Sequence, residues 1–185
     1  MNRTRLARVL IAVWAVAGAA CSIVGSGETL SDAQEVIANM KIGPSELKIV
    51  GAVDHADRVY HVGEPIALSV EVNRAAYVAV LRVMPNGATT LIFPNRGQAS
   101  AQVLANAPLG PVIIAADKPG VALFEFVASA RGDSWLFNRK PDAPADFAEL
   151  GTTTRELAKD IVLSLKIGHG RDTVASHLAV RVQGD

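Results

Sequence analysis

The 185-residue sequence has few of the residues that cross-link a chain or bind a metal ion, with one cysteine and four histidines. Because Cys21 is the only cysteine, an intramolecular disulfide is excluded. No two histidines have the HxH or HxxxH spacing that is typical of zinc ligands. The sequence also lacks the glycine–lysine order of a phosphate-binding loop and the GxSxG order of a hydrolase nucleophile. We therefore expect no catalytic residues, no metal site and no cofactor.

The candidates that remain for acid–base or metal chemistry are weak. The run Asp54-His55-Ala56-Asp57 offers three potential ligands, but such a polar run is more typical of a solvated turn. His61 and Glu64 are the only groups left that could serve a hydrolase as acid and base. A hydrolase is accordingly the least favoured interpretation.

No excess of charge of either sign is present, since 18 basic residues balance 18 acidic ones. Arg3, Arg5 and Arg8 lie within the first twenty residues, and their removal would leave 15 basic residues. A slightly acidic chain does not attract a phosphate backbone electrostatically, so we expect no binding to nucleic acid.

The one long apolar run lies at the N-terminus. It spans Val9–Ala17, follows the basic residues and precedes the small residues Gly18-Ala19-Ala20. This three-part pattern predicts an export signal over residues 1–20. A membrane-spanning helix would need about 20 apolar residues, and the sequence turns polar just after Cys21.

Cys21 follows the small residues directly, and this arrangement resembles the bacterial lipoprotein signal, although Gly18 stands where leucine is usual. The resemblance implies that Cys21 carries the lipid and becomes the new N-terminus. Ser22 is not the aspartate that commonly marks inner-membrane retention, which favours an outer-membrane lipoprotein facing the periplasm. The alternative is ordinary cleavage after Ala20, which gives a soluble periplasmic or secreted protein.

Residues 21–45 form a predicted tether. Ser31 and Gln34 have the spacing of a capping box, which predicts a short helix before Gly43-Pro44, with a partly ordered linker as the alternative.

Residues 46–185 are predicted to form a single β-sandwich domain. Apolar residues alternate along Ile66–Val72, as expected for a half-buried antiparallel strand with one face in solvent, and Tyr77–Met84 is apolar on both faces, as expected for a central strand. Asn86-Gly87 predicts a hairpin turn before the strand Thr89–Phe93. Further strands are predicted at Leu47–Val53, Val59–Val62, Gln102–Leu104, Val112–Ala115, Val121–Ser129 and His177–Val182.

One late helix interrupts this series of strands. Thr153 and Glu156 form a second capping box, and Leu157, Ile161 and Leu165 recur on one helical face. The segment Arg131–Leu150 is predicted to be a long surface loop pinned by its aromatic residues Trp135 and Phe137. Together these features predict a mainly all-β fold: an antiparallel, immunoglobulin-like β-sandwich with one late α-helix and the short N-terminal helix.

Several short motifs occur in order between Leu47 and Ala130. They are Tyr60-x-Val62-Gly63-Glu64, Ile66-x-Leu68-x-Val70, Ala76-Tyr77-Val78, Asn86-Gly87 and Leu91-Ile92-Phe93-Pro94-Asn95. This order resembles the domain-of-unknown-function 4384 family, from which the chain departs at Ala75-Ala76. The resemblance implies a β-rich module of the bacterial envelope, or of larger signalling and protease chains, that accompanies catalytic domains and is not known to be one.

These features predict a non-catalytic, exported and lipid-anchored envelope module that acts through contact with an envelope protein. The segment Trp135-Leu136-Phe137 is the candidate for an exposed contact patch. The alternative is a β-sandwich that binds a small ligand or cell-wall glycan, with Tyr77, Trp135 and Arg82 lining a groove. A related alternative has Glu64, Tyr77 and Asn95 converging on a ligand.

Overall fold

The apolar runs of the sequence form two β-sheets in the computed structural model, which describes residues 29–43, 45–98, 100–142, 145–167 and 172–184. Across these ranges the strands are β1 (Ile49–Val53), β2 (Val59–His61), β3 (Pro65–Val72), β4 (Ala76–Val83), β5 (Thr89–Phe93), β6 (Gln102–Val103), β7 (Leu109–Ala115), β8 (Gly120–Ser129), β9 (Ala148–Leu150) and β10 (Thr173–Gln183). The helices are α1 (Asp32–Ala38), α2 (Trp135–Asn138) and α3 (Thr154–Ile167). The predicted mainly-β fold is confirmed.

The strands divide unequally between the two sheets. The small sheet has the order β1-β3-β7, and the large sheet has the order β2-β10-β8-β4-β5-β9, with β6 pairing to β4. Neighbouring strands are antiparallel except for β2 and β10, which run parallel and pair residues 59–61 with residues 181–183. Strand β10 therefore lies between β2 and β8.

The two sheets pack face to face. The side chains at positions 66, 68, 70 and 72 of β3 are buried, as its alternating sequence predicts. Gly51 of β1 lies directly over the ring of Phe126 in β8. The hydroxyl of Ser176 in β10 donates to the carbonyl oxygen of Ile49 at 3.2 Å. These contacts close the β-sandwich.

Strands β4 and β8 are covered on both faces. Their register pairs Tyr77 with Ser129 and Val83 with Leu123, and paired residues share a face. Because Phe126 meets the small sheet, the odd-numbered residues of β8 point to the opposite face. The helices lie on that face, where the Gln34 amide of α1 donates to the carbonyl oxygens of Val83 (2.9 Å) and Val121 (2.7 Å).

The local signals at the helix ends and at the hairpin behave as predicted. Ser31 and Gln34 form both hydrogen bonds of the capping box that starts α1. Thr153 accepts from the backbone amide of Glu156 and starts α3 in the same way. In the β4–β5 turn Gly87 has φ +85°, which is the conformation that favours glycine.

The predicted long surface loop over residues 131–150 is wrong. Ser134 caps the short helix α2 through a hydrogen bond from the Leu136 amide, and strand β9 pairs with β5. The reason is burial: Leu136 and Phe137 lie in the core, so the segment is ordered by its apolar side chains.

The predicted export signal at residues 1–20 and Cys21 lie outside the described residues. None of the helices in the described ranges combines the length and the apolar composition needed to cross a membrane.

We predict that Gly51→Ala destabilises the protein by about 1–3 kcal/mol, because the new methyl group would collide with the buried Phe126 ring and force the two sheets apart. Urea unfolding at equilibrium measures this change. The matched control is Gly151→Ala, which meets open space and should alter the free energy of unfolding by less than about 0.5 kcal/mol. Equal stability of the two variants would contradict the close sheet contact.

Candidate functional site

A cluster of ionisable side chains connects the β1–β2 turn to the β2–β3 turn. Tyr60 is buried, and its hydroxyl donates to Asp54 Oδ1 at 2.8 Å. The same carboxylate oxygen accepts from the backbone amide of Ala67 at 3.0 Å. The backbone amide of His55 donates to the Tyr60 oxygen at 3.2 Å. We call Asp54, His55, Tyr60 and Glu64 the turn cluster.

His55 is held from three sides within the turn cluster. Its ring stacks on that of Tyr60, with centroids 4.4 Å apart and planes inclined by 4°. Nδ1 lies 2.9 Å from the carbonyl oxygen of Val59, and Nε2 lies 3.4 Å from Glu64 Oε1. The bond to Val59 raises the pKa of His55, and the nearby carboxylates, Glu64 first, add to this effect against partial desolvation.

The pKa values of Tyr60 and Asp54, the two other groups of the cluster with a shifted pKa, move in opposite directions. Burial raises the pKa of Tyr60 to about 12, and the bond to Asp54 adds to the shift. Desolvation alone would raise the pKa of Asp54, but the hydrogen bonds from the Tyr60 hydroxyl and the Ala67 amide hold it below its ordinary value. The stable protonation state at neutral pH is therefore a neutral tyrosine bonded to a carboxylate.

The geometry of the turn cluster suits a structural clamp. Both ring nitrogens of His55 have partners, and Asp54 Oδ1 already accepts two hydrogen bonds. No group of three histidine, cysteine or acidic side chains within the described ranges is arranged to hold a metal ion. The cluster thus fixes two turns against each other through side chains that contact one another and backbone atoms.

Glu64 pairs with His55 and not with His61, which corrects the predicted acid–base pair. His61 contributes its backbone amide, which donates to Glu64 Oε2 at 2.8 Å. This bond closes the turn at Gly63, whose φ is +89°. Sequence reasoning singled out Glu64 but missed Tyr60 and His55 as its neighbours, because their contact depends on the β1–β2 turn. The polar run before a buried tyrosine was the available signal.

The predicted convergence of Glu64, Tyr77 and Asn95 does not occur. Tyr77 pairs with Ser129 at the C-terminal end of β8. Glu64 lies beside β2, and β2 pairs with the part of β10 that faces the start of β8. The two side chains therefore lie at opposite ends of the large sheet. Asn95 Oδ1 accepts from the backbone amide of Gly97 at 2.8 Å and stabilises its own turn.

The predicted groove of Tyr77, Trp135 and Arg82 is also wrong. Tyr77 lies on the helix-covered face of the large sheet, where its ring centroid is 6.2 Å from that of Phe137. Arg82 lies on the other face and bonds Asp117 at 3.1 Å. An odd and an even position of one regular strand cannot line one groove.

The predicted contact patch at residues 135–137 is reduced to one side chain. Leu136 and Phe137 are buried, and Trp135 is 37% exposed. Phe137 is therefore a core residue that packs near Tyr77, and the candidate binding role predicted for it is corrected.

An apolar groove lies instead between α1 and α3. It encloses about 360 Å³ and continues into a second recess of about 180 Å³ that shares Lys41, Val162 and Lys166. The first part is lined by Val36, Met40, Lys41, Ala158, Lys159, Val162, Leu163 and Lys166. We call this surface the α1–α3 groove. Sequence reasoning assigned Leu157, Ile161 and Leu165 to the core, where they are buried, but did not use Val162 and Leu163 beside that stripe.

One more titratable group lies inside the large sheet. Glu125 is 1% exposed, in register between Leu81 of β4 and His177 of β10, on the helix-covered face. Its Oε2 has no hydrogen-bond partner within the described residues. Burial raises the pKa of Glu125 well above its ordinary value and lowers that of His177. Burial therefore favours the neutral form of each side chain.

We predict that Glu125→Leu raises the free energy of unfolding by about 1–3 kcal/mol at pH 8, since it removes a buried carboxyl group whose Oε2 has no hydrogen-bond partner among the described residues. The folded-state pKa of Glu125 is raised, so the native state is favoured below the unfolded pKa and loses stability as pH rises above it. The gain should therefore be smaller at pH 4. Urea unfolding at both pH values tests this, with exposed Glu71→Leu as the control. A loss of stability at pH 8 would contradict it.

We predict that His55→Gln lowers stability at pH 5 and that the difference shrinks as pH rises through the raised pKa of His55. A histidine whose folded pKa is raised contributes stability that is complete below its unfolded pKa and is lost above its folded pKa. NMR titration of the His55 ring should give a pKa above 6.5 that falls in Glu64→Gln. His61→Gln is the control, and a pH-independent effect of His55→Gln would refute the clamp.

The comparisons with known proteins bear on a segment that contains Tyr60 and Glu64 of the turn cluster. No curated protein matches the chain significantly. Residues 59–130, from the start of β2 to just beyond β8, match the sequence model of the family described as Domain of unknown function (DUF4384). The predicted resemblance over Leu47–Ala130 is thus confirmed for most of its length. Over residues 59–130 the chain is thus similar to the DUF4384 family.

Proposed function

We propose that this chain is an exported, lipid-anchored module of the cell envelope that acts through protein–protein contact and catalyses no reaction. The observation that carries the proposal is the α1–α3 groove, an apolar surface between two helices on which Leu163 is 53% exposed. Apolar side chains gathered in an exposed groove are typical of a surface that a partner covers.

The internal contacts of the turn cluster support the non-catalytic part of the proposal. Its acidic and imidazole groups contact one another and backbone atoms, and the sequence motifs for a nucleophile or a phosphate loop are missing. The alternative of a ligand-binding or glycan-binding sandwich has less support. Its candidate side chains lie on opposite faces of the sheet, and the described cavities between α1 and α3 are lined mostly by apolar side chains and lysines.

The position of the groove fits attachment at Cys21. The ten residues from Ser22 to Ser31 precede α1, and a chain of that length spans at most about 35 Å. A lipid on Cys21 would thus keep the groove near a membrane surface, where an envelope protein is the partner. The proposed location is the outer membrane on its periplasmic side, with a soluble periplasmic or secreted protein as the alternative.

We predict that a photoreactive phenylalanine derivative placed at Leu163 of the full chain cross-links to an envelope protein in the native cell. Ile113 and Leu104 are the controls, because they are also exposed apolar residues but lie away from the groove. The same adduct at all three positions, or no protein adduct at Leu163, would contradict the proposal. The mass of the mature N-terminus tests lipidation of Cys21 separately.

A further inference from the structure

The two helices that form the α1–α3 groove run in the same direction. Ala33 near the start of α1 and Thr154 at the start of α3 both lie next to Gly87, so the two helices begin at the same place. Lys41, just beyond the end of α1, lines the recess together with Lys166 at the end of α3. The helices therefore run side by side in one direction, and the groove between them ends in basic side chains.

The charged side chains that line the groove are all lysines. Its lining includes Lys41, Lys159 and Lys166 and no acidic side chain. The carboxylate of Glu156, in the first turn of α3, accepts hydrogen bonds from the hydroxyls of Thr153 and Thr152, which lower its pKa. Glu156 is not part of this lining but lies close enough to Lys159 for that lysine to lower its pKa further. An anionic partner would thus meet Lys41 and Lys166 in the recess, whose described lining contains no acidic side chain.

The shape of the groove favours a rod over a small compact ligand. The groove runs along residues 158–166 of α3, a length of about 12 Å. Leu163, at the side of the groove, is half exposed, so the groove is open to solvent. Pockets for small molecules, in contrast, enclose most of the ligand. An amphipathic helix fits such a surface, because its residues at i, i+3, i+4 and i+7 form a continuous apolar stripe that can lie between the apolar side chains of α1 and those of α3.

Resting on the proposed function, we infer that the α1–α3 groove binds an amphipathic helix of a partner protein. The apolar stripe of that helix would contact Val36, Val162 and Leu163, and its acidic flanking residues would contact the three lysines. The apolar stripe supplies the buried area. The carboxylates fix its orientation and speed its association, as complementary charges do at interfaces. Acidic residues at one end of the partner helix would meet Lys41 and Lys166.

The test uses the full chain in phosphatidylcholine nanodiscs and three labelled peptides of about 14 residues, the length of α3. One has a leucine stripe with glutamate flanks, the second has the same stripe with lysine flanks, and the third has the first composition in scrambled order. Fluorescence anisotropy at low salt should show about tenfold tighter binding of the glutamate-flanked peptide than of either other peptide.

Charge reversal of the groove provides the decisive comparison. The combined variant Lys41→Glu, Lys159→Glu and Lys166→Glu should prefer the lysine-flanked peptide. The matched control, Lys48→Glu, Lys118→Glu and Lys140→Glu, changes three exposed lysines outside the groove and should keep the original preference. Leu163→Asp should abolish binding of both helical peptides.

Other outcomes would overturn the inference. An unchanged peptide preference in the groove variant would refute the role of the lysines. Binding to phosphatidylglycerol vesicles or to dodecanoate without binding to any peptide would assign the groove to lipid. A protein adduct at Leu163 combined with no preference for acidic flanks would refute the inference and leave the proposed contact function standing.

Discussion

The double coverage of β4 and β8 is the constraint on which the rest of the fold depends. These strands are apolar on both faces, so each face must be removed from water by another layer. The small sheet covers one face, and the helices cover the other. Helix α2 packs on the sheet for the same reason and buries Leu136 and Phe137. Helix α1 packs there as well, and its Gln34 donates to the carbonyl oxygens of Val83 and Val121.

Coverage of the sheet by helices also creates the candidate site. Because α1 has seven residues, it is too short to be stable alone and is held by docking beside α3. Its docking buries Ile37 but leaves Val36, together with Val162 and Leu163 of α3, at the surface between the helices. A short helix placed for structural reasons thus gives the protein an apolar groove.

The sequence predicted those features whose cause lies within a few neighbouring residues. The capping boxes at Ser31 and Thr153, the turn at Gly87 and the alternation along β3 are local, and each has the predicted structure. Helix α2 and strand β9 were missed because their order comes from distant partners in β4 and β5. The pairing of His55 with Glu64 and the groove of α1 and α3 likewise depend on how separate elements meet, which no short sequence pattern contains.

The parallel pairing of β2 with β10 has a consequence for the limits of the family match. Residues 59–130 include β2 and β8, yet the strand that joins these two, β10, begins at Thr173. The matched segment is therefore not a self-sufficient folding unit, and its excision would leave β2 without a neighbour in the large sheet. Since β10 follows β2 by about 110 residues, this edge of the large sheet forms only through a contact between distant parts of the chain, which is slow to form compared with a local contact.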